Sequence, residues 1–225
     1  KEGQALCFES TTYPGTTGEL ILPYIENKFE IGKDFFLIYS PERDDPGSKY
    51  DGKKIPKLVS GYTKKCLLIG EKIYKSIIKK PIKVPSIKVA EMSKLYENIF
   101  RSINISLVNE TKIILKKLNI EISDVINAAK TKPFGFMPFY PGPGYGGHCI
   151  PVDPYYFIWM AKRYKLNSKF IELSGKINNS IPRWICDQIK KELKKTGKKI
   201  NSSKVLILGV AYKKNINDDR ESPAY

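Results

Sequence analysis

The stretch GPGYGGHCIPVDPYY, residues 142–156, holds four of the sixteen glycines, the single histidine and one of the four cysteines. Glycines let a ligand approach the backbone closely. These deliver Cys149 just ahead of residues that read as a helix start, near Pro151 or Asp153. A helix N-terminus favours a thiolate and lowers the thiol pKa, which is one way to build a nucleophile. The same pattern also fits a structural glycine loop around a buried cysteine. His148 adjoins Cys149, but neighbours in an extended segment point to opposite sides. Loop packing therefore suits His148 better than a Cys–His dyad.

Other residues carry weaker signals. Lys94 and Asn98 are four apart in a helical pattern and share a face. A cavity lining and an ordinary surface face both fit that spacing. Glu42 in SPER and Asp153 in PVDP are carboxylates suited to acid/base work or to orienting water, and equally to caps or turns. Lys213, Lys214 and Arg220 follow the last apolar run and suit a phosphate, or a solvated loop. Cys7, Cys66, Cys149 and Cys186 form no C-x-x-C pair, which argues against a zinc site or a disulfide framework and for a reducing compartment.

The 225 residues are 41% hydrophobic and 28% charged, a balance that fits a globular chain with a real core. No run approaches the length of a membrane span, and KEGQALCFES lacks the shape of a signal peptide. The expected location is cytoplasmic, with no membrane partner. The net charge of +16 raises nucleic acid as a partner. The lysines are scattered, however, and no nucleic-acid motif accompanies them. The expectation is a basic solvated surface that also attracts phosphorylated small molecules, with no nucleic-acid partner.

These residues need a frame. ALCFES, DFFLIYS, KLVSG and IKVPS read as short strands. The helical stretch TKKCLLIGEKIYKSIIKK lies between the last two, and Thr16 or Thr17 is placed to cap a helix after Pro14 and Gly15. The alternation predicts part of a parallel α/β sheet. Residues 90–118 repeat apolar side chains at helical spacing, among them Met92, Leu95, Ile99, Ile103, Leu107 and Ile114, with no proline or glycine. One long helix is expected there. ISDVINAAKT predicts a shorter helix with Ser123 as N-cap, and two more helices follow the glycine loop, the second containing Pro182. Val205 to Leu208 reads as a strong strand running into Gly209, the way an α/β domain opens. No G-x-G-x-x-G follows any strand, so the chain reads as cut at both ends.

Five segments in order, ESTTYPGTT, YSPERDDPG, EMSKLYENIFRSINISLVNE, FYPGPGYGGHCIPVDPYY and KVLILGVAYKKNINDDRESPA, resemble the UDP-sugar 6-dehydrogenases. The flanks FGFMPFYPGPG, CIPVDPYYFIW and FIELSGKIN look most like the branch acting on UDP-N-acetylglucosamine. UDP-glucose and UDP-N-acetylmannosamine are the alternative substrates, and an inactive fragment or dimerisation scaffold is the alternative to an enzyme.

The resemblance implies an α/β fold: a partial Rossmann-like parallel sheet in 1–88, a central long-helix dimerisation and catalytic region in 89–200, and the start of a second, UDP-binding Rossmann-like domain in 201–225. It implies NAD-dependent four-electron oxidation of the sugar C6 in a homodimer, supplying uronic acids for surface polysaccharide such as capsule. By resemblance Cys149 is the nucleophile, forming a thiohemiacetal and then a thioester. Lys94 and Asn98 stabilise the C6 oxyanion, and Asp153 and Thr11 orient water. Glu42 serves as base or in hydrolysis. Phe139, Tyr140, Gly144, Gly146, Gly147, Tyr212 and Lys213 contact the UDP-sugar. Thr11, Glu42 and Arg220 contact NAD, and no metal is implied. Thr12 and Tyr13 stand where relatives commonly carry valine and proline. The chain is expected to have negligible activity by itself.

Overall fold

The computed structural model describes residues 1–45, 47 and 50–225. Pro46, from the loop PERDDPG, lies outside the described residues. The chain forms two compact units, Lys1–Asn98 and Ile99–Tyr225.

The first unit is built on a four-stranded sheet in the order β1 (Gln4–Phe8), β2 (Phe35–Tyr39), β3 (Lys57–Gly61), β4 (Pro81–Lys83). β1 and β2 are parallel, with Gln4 beside Phe35 and Phe8 beside Tyr39. β3 and β4 are also parallel, with Lys57 beside Pro81. The join between the two pairs departs from the expected parallel sheet. β2 and β3 run antiparallel through Ile38–Gly61 and Tyr39–Ser60. The connections explain this. Parallel neighbours need a long crossover, usually a helix. α1 (Leu22–Glu26), preceded by a π-helical turn Thr17–Ile21, supplies one, and α2 (Lys64–Lys75) supplies the other. Between β2 and β3 the described residues hold only a 3-10 turn, Gly52–Lys54.

β2 is the centre of this unit. Leu37, Ile38 and Tyr39 are all fully buried, because helices cover both faces of the strand. Ile38 packs with Val59, Cys66 and Tyr74, the last two on α2. Leu37 packs with Leu22 and Ile25 of α1. Tyr39 packs with Ile87 and Ala90 of α3 (Ile87–Lys117). The Thr63 hydroxyl caps α2 by accepting the Cys66 N–H at 3.1 Å.

α3 is the expected long helix. It contributes to the first unit up to Asn98 and to the second from Ile99. Its apolar repeat is only partly buried: Leu95 and Ile99 are buried, whereas Leu107 and Ile114 are exposed. In the second unit Val108 packs with Ile122 and Ile126 of α4 (Ile122–Ala129). Ser123 does not cap α4. The N-cap is Glu121, without a side-chain bond, because the helix begins two residues earlier than the serine would place it. α5 (Asp153–Arg163) and α6 (Lys169–Lys195) complete this unit. α6 continues through Pro182, which has no N–H to give to the Asn178 carbonyl.

Val205–Leu208 forms no strand. Its side chains are 54–86% exposed. A β-prone run becomes a strand only against a ladder partner, and among the described residues none lies beside it. No helix among the described residues is long and apolar enough to cross a membrane.

Candidate active site

In the second unit Cys149 sits at the end of the glycine loop, half-buried, immediately before α5. Its carbonyl accepts the backbone N–H groups of Asp153 at 2.8 Å and Val152 at 3.2 Å. The chain thus turns directly from the thiol into the helix. Asp153 opens α5, with Pro154 in the first turn, and its side chain is buried. A carboxylate in the first turn of a helix is favoured by the dipole. Cys149 and Asp153 are therefore brought together by one local turn. His148 is exposed.

A buried polar network pins the loop. Asn109 on α3 accepts the Gly142 N–H at 3.0 Å and donates to the Asn178 side-chain oxygen at 3.0 Å. Asn178 donates in turn to the Ser106 hydroxyl, which itself donates to the Ser174 carbonyl at 2.8 Å. The Tyr145 hydroxyl reaches the Ser102 hydroxyl at 2.5 Å and that of Ser106 at 3.2 Å. Gly144 has φ +130, and a Cβ there would lie 3.5 Å from the Asn178 carbonyl oxygen and 3.6 Å from Pro182 Cδ. The loop rests where α6 has lost a hydrogen bond.

The C-terminal segment closes over the same loop. Gly147 donates its N–H to the Arg220 carbonyl at 2.8 Å. Tyr212 lies so close that a Cβ on Gly146 would come within 2.2 Å of Tyr212 Cβ, and one on Gly147 within 2.6 Å of its ring. Only glycine fits either position. The Arg220 guanidinium clamps Asp218, with Nε at 2.9 Å and a terminal nitrogen at 2.6 Å. The hydrogen bond from Arg220 holds the Asp218 carboxyl down at about 2. Lys213 is half-buried, Tyr140 is exposed, and Phe139 packs edge-on to Phe100 with centroids 5.8 Å apart.

The first unit holds the remaining expected residues. Thr11 and Glu42 lie on the loops after β1 and β2, and these loops run side by side, since Glu42 donates its N–H to the Glu9 carbonyl at 3.2 Å. Burial raises the Glu42 carboxyl, but the Lys57 hydrogen bond, the Asp44 and Arg43 amides and the Lys57 charge outweigh it and leave it below its ordinary value. Asn98 is buried and Lys94, one turn earlier on α3, is half-buried.

Sequence reasoning passed over three sets of residues. Glu91 on α3 is fully buried and accepts N–H groups from Gly15 at 2.6 Å and Thr17 at 2.9 Å, and the Thr17 hydroxyl at 2.7 Å. It caps the turn that Thr16 and Thr17 were expected to cap. Thr16 instead donates to the Tyr13 carbonyl at 2.8 Å. Lys57 joins Glu9 and Glu42. The polar residues Ser102, Ser106 and Asn109 are buried. Their four- and three-residue spacing was visible in the sequence, but it reads equally as a solvated face.

Residues 88–180 match the central domain of the UDP-glucose/GDP-mannose dehydrogenase family. Protein CapL of Staphylococcus aureus is 41% identical over 219 residues, 96% of this chain and 51% of that protein. The UDP-N-acetyl-D-glucosamine 6-dehydrogenase of Pseudomonas aeruginosa is 37% identical over 226 residues, 99% of this chain and 53% of that protein. The native structure of the UDP-N-acetyl-mannosamine dehydrogenase Cap5O from Staphylococcus aureus matches with a TM-score of 0.84 at 37% identity, covering 100% of this chain and 51% of that one. The chain spans about half the length of the curated relatives it matches. Residues 88–180 thus belong to the central domain of the UDP-glucose/GDP-mannose dehydrogenase family.

Proposed function

We propose that this chain is the catalytic middle of a cytoplasmic, homodimeric, NAD-dependent UDP-sugar 6-dehydrogenase, with α3 at the dimer interface. The UDP sugar we assign is UDP-N-acetylglucosamine, and its product serves surface polysaccharide. UDP-N-acetylmannosamine is the second reading, favoured by the name of the Cap5O structure. The observation that carries the proposal is the position of Cys149, between a glycine loop anchored at Gly142 and Tyr145 and the first turn of α5.

The residues present fit a dinucleotide. Thr11 and Glu42 stand beyond the C-terminal ends of parallel neighbours β1 and β2, where α/β sheets bind such ligands. A hydroxyl and an ionised acceptor suit its ribose hydroxyls. NAD, when bound, supplies the hydride acceptor for both oxidations.

The chain's own residues do the rest. Cys149 Sγ adds to the C6 aldehyde carbon as a thiolate, and the sugar stays on sulfur as a thiohemiacetal and then a thioester. Lys94 offsets negative charge on the C6 oxygen, and Asn98 donates a hydrogen bond to it. Asp153 and Thr11 orient the water that cleaves the thioester, which returns the thiol and leaves a carboxylate. Glu42 assists this hydrolysis. Phe139, Tyr140, Gly144, Gly146, Gly147, Tyr212 and Lys213 line the UDP-sugar.

The test uses the protein at the length of its relatives, incubated with NAD and a panel of UDP-sugars. About two NADH per sugar, fastest with UDP-N-acetylglucosamine, is the expected result. Cys149→Ala should abolish the second oxidation. Two NADH per sugar from that variant would sink the assignment of Cys149.

A further inference from the structure

We propose that Lys57 is a positioning residue that locks Glu42 in place as an ionised hydrogen-bond acceptor, so that Glu42 orients water and does not take its proton. The proposal rests on the reading that Glu42 serves thioester hydrolysis.

Lys57 is the first residue of β3, and its side chain is only 8% exposed. A lysine in that setting must be paired. Its Nζ lies 2.8 Å from Glu42 Oε2 and 3.2 Å from Glu9 Oε1, and 5.5 Å from the centre of the Tyr74 ring. Because β3 runs antiparallel to β2, its first residue comes to the edge where β1 and β2 end. One buried ammonium therefore ties together the loops that follow both strands.

Glu42 is held from two sides. Oε2 accepts from Lys57, and Oε1 accepts the backbone N–H groups of Arg43 and Asp44, each at 2.8 Å. Its side chain is nevertheless 59% exposed. It is thus fixed in direction but open on one face. Three donors, one of them charged, stabilise the ionised form and make it a weak base. A weak base that is well aimed accepts a hydrogen bond from water better than it removes a proton.

The other charged groups nearby do not duplicate this. On β1 the thiol of Cys7 is pushed up by burial. Glu9, just past β1, shares Lys57 and accepts from the Tyr74 hydroxyl of α2 at 2.5 Å. Burial and the Glu9 hydrogen bond push the Tyr74 phenol up, so it stays neutral. Arg43 is turned away, to Glu97 on α3 at 2.7 Å and to the Pro56 carbonyl at 2.7 Å. Asp44 gives Glu42 only its amide. Lys57 is the one cation bonded to the Glu42 carboxylate among the described residues.

The test is made in the protein at the length of its relatives, with Lys57→Met, Lys57→Arg and Glu42→Gln. Two quantities are read: the Glu42 carboxyl titration by carbon NMR, and the pH dependence of thioester hydrolysis, followed by the mass of the Cys149 adduct. Lys57→Met should move the Glu42 midpoint up, and the acid limb of hydrolysis should move up with it. Lys57→Arg should restore both and guards against a simple folding defect. An acid limb unmoved in a folded Lys57→Met, with Glu42→Gln slow, overturns the proposal alone. Unaltered hydrolysis in Glu42→Gln overturns the reading of Glu42 and the proposal with it.

Discussion

Asn109 on α3 donates from its side-chain nitrogen to the Asn178 side-chain oxygen on α6 at 3.0 Å, and both residues are 1% exposed. Asn109 also accepts the Gly142 N–H. Asn109→Ala strands both partners in a buried setting. Each stranded group costs about 1–3 kcal/mol, so a loss of about 2 kcal/mol or more is expected in urea unfolding. The glycine loop loosens as well, and iodoacetamide should alkylate Cys149 faster. A stability loss under about 0.5 kcal/mol with unchanged alkylation would show that the network does not hold the loop.

Glu91 accepts three hydrogen bonds from the Gly15–Thr17 turn. Bonds to a charged group contribute about 1.5–3 kcal/mol each, with some overlap between them. Glu91→Ala is expected to destabilise by about 3 kcal/mol or more, and Glu91→Gln, which keeps an acceptor, by less. Denaturant midpoints would check the order. Equal losses in the two variants would mean that charge is irrelevant to this cap.

Gly146→Ala places a methyl carbon within 2.2 Å of Tyr212 Cβ. The C-terminal segment must then lift off the loop, and limited proteolysis between 205 and 220 should speed up. Adding Tyr212→Gly, which removes that Cβ and leaves the Tyr212 Cα position 3.5 Å away, should slow it again. If the double variant is cleaved as fast as the single one, the contact is not what seats the segment.

The Arg220–Asp218 clamp has a definite pH window. The Asp218 carboxyl is held at about 2, chiefly by the Arg220 hydrogen bond, below the unfolded value of about 3.9. Its contribution is complete above about pH 4 and is lost as pH falls through about 2. Carbon NMR of the Asp218 carboxyl should show its midpoint at about 2. A midpoint at the unfolded value of about 3.9 would rule the clamp out.

Much of the frame was legible because it is local. DFFLIYS and KLVSG are apolar runs of strand length, and both appear as β2 and β3. Residues 90–118 carry a helical repeat with no breaker, and α3 follows from it. What was not legible depends on partners. Ile38 can face Gly61 only if β3 reverses, and no local pattern encodes that. Val205–Leu208 has the composition of a strand and stays exposed for want of a neighbour. Glu91 and Asn109 read as the polar side of a helix until the groups they satisfy are seen, 76 and 33 residues away. Cys149 was the reverse case, since the turn that places it is local.

Glu91 also bears on the order in which the first unit forms. The turn at Thr17 lacks a local side-chain cap, and the groups that would stabilise its start wait for a carboxylate 74 residues further on. Closing a loop of that length is slow compared with forming a helical turn. Refolding should therefore show the segment around Thr17 gaining amide protection only once α3 has docked, however early α3 itself becomes helical.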